Sequence, residues 1–95
     1  MENKREVLPL ETEVVFDYEV SMKGEMVSSI TINKPTMKNM KDMAKIKGSD
    51  LDKEAWLISC LSGMPVSDID NLHTDQYELV QDVVGKYTSS NTKSS

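Results

Sequence analysis

The chain has 95 residues, of which 38% are hydrophobic and 28% charged, and its formal net charge is −5. This composition is typical of a soluble globular protein, and the length suits one domain with a single modest core. The acidic balance argues against nucleic acid and against anionic membranes as partners, because both bind net basic surfaces.

The charge is unevenly distributed along the chain. Residues 1–48 carry eight basic and eight acidic side chains, whereas residues 49–95 carry three basic and eight acidic ones. A single cysteine cannot form an internal disulfide, and nothing in the sequence is typical of a signal peptide or a spanning helix. We therefore expect the protein to remain in the cytoplasm of the cell that makes it.

The first predicted element is a β-hairpin, which follows a flexible arm at residues 1–12. Strict alternation begins at Val14 and resumes after Gly24, as expected for two strands with one buried face. The predicted inward positions are Val14, Phe16, Tyr18 and Val20 in the first strand, and Met26, Ser28, Ile30 and Ile32 in the second. An isolated hairpin is marginal in water, so we expect the rest of the chain to cover this face.

The second predicted element is an amphipathic helix that begins after Pro35 with Thr36 as its N-cap and ends near Gly48. At 100° per residue, the side chains fall on two opposite faces. One face holds Met37, Met40, Met43 and Ala44, and the other holds Lys34, Lys38, Lys41 and Lys45.

The second half predicts further helices. A broadly apolar helix over residues 51–64 includes Trp56 and Cys60 and is expected at the centre of the fold, and it ends at Gly63 and Pro65. A short turn then places Ile69 and Leu72 in the core, and a last helix runs from a Thr74 cap to about residue 87. The predicted class is α+β: an N-terminal β-hairpin followed by three to four short α-helices in one small domain (residues 13–87), with a disordered polar tail at 88–95.

The sequence offers no constellation that predicts catalysis. His73 and Cys60 are single and lie on different elements, and they provide neither a metal set nor a suitable dyad. A cysteine among apolar neighbours behaves as a small hydrophobe. Asp50, Asp52 and Glu54 crowd a helix start, where capping and the helix dipole account for them. We therefore predict no enzyme activity, no cofactor and no metal.

Binding surfaces are the more informative candidates. Methionine faces occur where a groove accepts several apolar helices, although core packing is the more frequent role. A lysine face steers acidic partners, although it is more often only solvated. A tryptophan at a core boundary is a frequent interface anchor. The candidate partner-binding residues are Met37, Met40, Met43, Lys38, Lys41, Lys45 and Trp56.

The order of the elements resembles the tail assembly chaperone family of contractile-tailed, Mu-like phages. A strand ending at Ile32 leads through Lys34, Pro35 and Thr36 into a helix whose apolar anchor is Met40, and residues 57–65 (LISCLSGMP) match the family's helix ending. The similarity covers about residues 14–87. It implies a non-enzymatic phage or prophage protein that binds the long helical tape measure protein in the host cytoplasm and is absent from the mature virion.

Two other functions remain open from the sequence. One is a small structural or adaptor subunit of the phage tail, and the other is an acidic inhibitor that mimics DNA. The sequence also leaves open whether the protein associates with itself.

Overall fold

The structure is a computed structural model that describes residues 8–88. Its elements, in chain order, are β1 (Glu11–Met22), β2 (Glu25–Asn33), α1 (Met37–Ala44), α2 (Asp50–Ser62), α3 (Val66–Asp70) and α4 (Thr74–Thr88). The predicted α+β class, a hairpin followed by short helices, is confirmed. The first strand begins two residues inside the expected arm, and α4 includes Thr88. Residues 1–7 of the arm and 89–95 of the tail lie outside the described residues.

The hairpin turns through two residues. Lys23 and Gly24 have φ of 55° and 81°, and positive φ at both central positions belongs to the primed turns that match strand twist. The Lys23 amide also donates a hydrogen bond to the Asp68 carboxylate at 2.8 Å. This bond ties the turn to α3.

A register shift changes which face of β2 is buried. Val14 pairs with Ile30, but Val20 pairs with Val27, so β1 contains three more residues than β2 between these pairs. Because an odd shift reverses the alternation, Val27 packs against the core and Met26 is 61% exposed. The predicted inward positions of Met26 and Ser28 were therefore wrong. Tyr18, in the irregular segment of β1, is 42% exposed, so its predicted inward position was also wrong.

The core lies between the inner face of the hairpin and the helices α2 and α4. Its apolar members come from both strands, from α2, α3 and α4, and from the connection between α3 and α4. Within residues 8–88, one polar side chain, Gln76, is buried among them. The buried apolar residues are Val14, Phe16, Met22, Ile30, Ile32, Ala55, Leu57, Ile58, Leu61, Ile69, Leu72, Val80 and Val84. Helix α2 contacts α1, α3 and β2, which confirms its predicted central position.

The helix α1 is short and peripheral. Thr36 is its N-cap, as predicted, and exchanges capping-box hydrogen bonds with Asn39. The helix ends at Ala44, earlier than the predicted end near Gly48, and none of its residues is fully buried. Gly48 instead precedes the capping box of α2, where an added Cβ would lie 2.5 Å from Asp52 Oδ2.

The last two helices agree largely with the sequence patterns. Ile69 and Leu72 are buried, as predicted. Thr74, however, is the first residue of α4 and not its cap, because the His73 carbonyl accepts the first helical hydrogen bond from Tyr77. None of the helices in the described chain is both long and apolar enough to cross a bilayer.

Candidate partner-binding groove

An open apolar groove lies between α1, the first turns of α2 and the second half of α4. Its volume is about 390 Å³, within the range of about 300–1,000 Å³ that is common for ligand pockets. The apolar lining residues are Met40, Met43, Leu51, Leu57 and Val84, and the polar ones are Asp50, Lys53, Glu54, Gln81 and Thr88.

Leu51 is the most exposed apolar residue of the groove. Its exposed fraction is 63%, although it sits in the first turn of a capped helix. Leu51 also borders a second cleft of about 180 Å³, together with Ala55, Ile69, Leu72 and Tyr77. An exposed leucine between two clefts gives this side of the molecule a ridge that an apolar partner can cover.

The Glu54 carboxylate lies in the wall of the groove and is held in position by hydrogen bonds. Its Oε1 accepts hydrogen bonds from the Tyr77 hydroxyl and, at 3.1 Å, from Gln81 Nε2. Burial, followed by the hydrogen bond to Glu54, raises the pKa of Tyr77, so this hydroxyl remains a donor at neutral pH. The Glu54 carboxylate is therefore held in place and still has lone pairs for a basic partner group.

The structure brings together two of the three predicted methionines. Met40 and Met43 are half-buried and line the groove, whereas Met37 is 71% exposed and lies outside it. On a helix of 3.6 residues per turn, Met37 lies about 60° from Met40 and about 120° from Met43. Only the middle of the predicted methionine face can therefore point towards α2.

The lysines and the tryptophan lie elsewhere. Lys38, Lys41 and Lys45 occupy the exposed side of α1, away from the groove, and Lys38 pairs with Asp42 at 3.0 Å. Trp56 is half-buried, packs against the core and is not a lining residue.

Sequence reasoning did not include Leu51, Leu57 and Val84 among the site residues. Leu57 and Val84 read as core positions of their helices, and they are buried while their edges form the floor of the groove. Of these three residues, only Leu51 could have been recognised from the sequence as a site residue, because a large apolar residue in an otherwise polar first turn has no role in capping.

The structure also shows the surroundings of Cys60 and His73, the two residues weighed for catalysis. Cys60 is exposed, so its predicted place among apolar neighbours was wrong. Its pKa is raised by partial burial and by the nearby Asp42 charge, and a raised pKa lowers the reactive thiolate fraction. His73 Nδ1 lies 3.1 Å from the Tyr18 hydroxyl. Residues 8–88 contain no group of three or more side chains that could hold a metal.

The fold and the groove define a class: a small α+β domain that presents an open, methionine-lined surface between helices. The particular family follows from a match of residues 14–88 to the family described as "Phage tail assembly chaperone proteins, E, or 41 or 14". The match covers most of the chain, so the protein belongs to the phage tail assembly chaperones. No curated protein and no solved structure gives a significant match.

Proposed function

We propose that this chaperone binds the tape measure protein of the phage tail and keeps it soluble in the host cytoplasm until the tail tube forms. Membership of the tail assembly chaperone family supports a tail protein as the partner. A very long helical chain with apolar stripes would self-associate before assembly, and a small protein that covers those stripes prevents this.

The observation that carries the proposal is the open groove lined by Met40, Met43 and Leu51. An amphipathic helix places anchors at i, i+3 or i+4, and i+7, and such a row fits an elongated apolar groove between helices. Methionine side chains repack around different anchors, which suits a partner with many similar but non-identical segments.

The charged wall of the groove indicates what should flank those anchors. Asp50 and Glu54 lie among the lining residues with one cation, Lys53. Glu54 is already positioned by Tyr77 and Gln81. We expect the bound segments of the tape measure protein to carry lysine or arginine beside their apolar stripe, because these pair with a fixed carboxylate.

Two exposed residues provide a matched test of the groove. Leu51 is 63% and Met37 71% exposed, so an aspartate at either position should leave the fold intact, but only Leu51 lines the groove. On co-expression with the tape measure protein, Leu51→Asp should lose both co-purification and the gain in solubility, and Met37→Asp should retain them. Met40→Asp should act as Leu51→Asp does, provided that its circular dichroism shows a folded domain.

Two negative results would refute different parts of the proposal, the partner and the groove. If the wild-type chaperone leaves tape measure solubility unchanged and does not co-purify with it, the partner is wrong. If Leu51→Asp and Met37→Asp bind as the wild type does, the partner stands and the groove is wrong.

Whether the protein is present in the finished virion distinguishes a chaperone from a structural tail subunit. A chaperone leaves when the tube has polymerised, so mass spectrometry of purified virions should not detect it. Detection in stoichiometric amounts would instead favour a structural or adaptor subunit.

A further inference from the structure

The first half of the chain sums to zero charge, but the fold separates its charges onto two surfaces. Residues 11–33, which form the hairpin, carry five acidic side chains and one basic one, a net charge of −4. Residues 34–47, which contain α1, carry five lysines and one aspartate, a net charge of +4. The two segments are therefore equal and opposite.

The negative surface is the outer face of the hairpin. In the regular part of the ladder, Glu13 and Val15 face away from the core, opposite Thr31 and Ser29. Val15 and Met26 are exposed by 62% and 61%, so no described element covers this face. The exposed acidic residues of β1 are Glu11, Glu13, Asp17 and Glu19.

The positive surface is the solvent side of α1. Lys38, Lys41 and Lys45 fall within an arc of about 60°, opposite the groove side of the helix. Within residues 8–88 the ion pair is Lys38–Asp42, inside α1, and none joins α1 to the hairpin. The two charged surfaces of one molecule therefore do not neutralise each other.

The charges are similarly spaced on the two surfaces. Lys38 and Lys45 are separated by about 10 Å along the helix axis. Glu13 and Asp17 are separated by at most about 13 Å, the span of four extended residues, because Asp17 lies in the irregular segment of β1. A helix laid on the outer sheet face could therefore bring several lysines near carboxylates at once, while Val15 and Met26 supply apolar contact.

We propose that the chaperone associates with itself, the lysine face of α1 in one copy docking on the acidic outer face of the hairpin in another. The partner surface belongs to a second copy of this chain, because each copy exposes both charged surfaces and no ion pair within residues 8–88 joins them in one molecule. The contact joins two different surfaces and is heterologous, so it can add further copies. It does not involve the groove.

Sedimentation analysis of the full 95-residue chain, without any tape measure protein, tests this inference. We expect concentration-dependent association at about 50 mM salt that is roughly tenfold or more weaker at about 500 mM, because exposed charges are screened. A wild-type chain that is monomeric at low salt and high concentration would overturn the proposal.

Charge reversal makes the test specific. The first variant changes Lys38, Lys41 and Lys45 to glutamate, and the second changes Glu13, Asp17 and Glu19 to lysine. Each variant alone should be monomeric, because its two surfaces then have the same sign. An equimolar mixture should associate again, because each surface of one variant complements a surface of the other. Two folded variants that do not associate when mixed would refute the pairing.

A control variant distinguishes the hairpin from the other acidic surface. Glu78 and Asp82 are exposed on α4, and changing both to lysine should leave association intact. If this variant becomes monomeric while the hairpin variant still associates, the assignment to the hairpin is wrong. Failure of self-association leaves the groove and the proposed function untouched, because those are tested by tape measure binding.

Discussion

At the scale of single residues, Gln76 is the most consequential polar side chain in the core. It is 1% exposed and joins two elements. Its Nε2 donates to the Tyr18 carbonyl at 3.3 Å, and its Oε1 accepts from the His73 amide at 3.2 Å. Tyr18 lies in the irregular part of β1, between the two registers. Gln76 therefore satisfies a strand carbonyl in the bulged segment and an amide at the start of α4.

Replacing Gln76 with leucine should destabilise the domain by about 1–3 kcal/mol, because it leaves buried backbone groups without partners. Urea denaturation followed by circular dichroism measures this change. Gln81→Ala is the control, since Gln81 is exposed and its loss should cost no more than about 0.5 kcal/mol. Equal effects of the two substitutions would mean that the Gln76 hydrogen bonds contribute nothing.

Gln76 also illustrates what a sequence pattern omits. Five apolar residues of α4 recur with helical spacing, as a core-facing helix requires, and all five are buried or half-buried: Tyr77, Val80, Val83, Val84 and Tyr87. A glutamine in the first turn of a helix reads as a solvated residue. Its burial depends on a carbonyl from β1, which only the register shift directs towards α4.

At the scale of elements, α1 and α2 have the same type of start but different support. Each begins with a capping box, formed by Thr36 with Asn39 and by Ser49 with Asp52. Helix α2 buries four residues in the core, whereas α1 buries none completely. Because short helices depend on tertiary packing, the cap should account for a larger share of the local stability of α1.

Hydrogen exchange of matched cap variants tests this difference. Thr36→Ala removes a cap that is typically worth about 1 kcal/mol and should speed amide exchange in α1 roughly fivefold, with exchange in α2 unchanged. Ser49→Ala should lower global stability by a similar amount, because α2 opens only with the whole domain. If both variants change exchange across the entire chain alike, α1 is not a separately opening unit.

The elements also show where sequence reasoning succeeds. Helix positions were predictable because the Pro35–Thr36 start and the Gly63–Pro65 end are local signals. The buried face of β2 was not predictable from the sequence. The alternation over residues 26–32 is unbroken, and the register shift arises from extra residues in the partner strand β1. Only part of the groove could be predicted from the sequence. Met40 and Met43 lie on one helix, but Leu51 and Val84 join them only through the packing of α2 and α4.

At the scale of the whole molecule, the C-terminal end of the described chain is hydrogen-bonded to its N-terminal end. The Tyr87 hydroxyl lies 2.8 Å from Thr12 Oγ1 and donates to the Pro9 carbonyl at 2.9 Å. Helix α4 also contacts both strands and supplies Val80 and Val84 to the core. The hairpin is made first but lacks part of its cover until the last helix is complete.

Two truncations test whether the fold depends on that closure. A chain ending at residue 73 lacks α4, so the inner hairpin face and α2 lose their shared packing, and a two-stranded sheet is marginal without cover. We expect this chain to show no cooperative urea transition. A chain ending at residue 88 keeps every described element and should unfold at the same urea concentration as the full chain, as expected if residues 89–95 form a dispensable polar tail. A cooperative transition in the shorter chain would show that the hairpin, α1, α2 and α3 fold without α4, and a marked loss of stability in the longer one would give the tail a structural role.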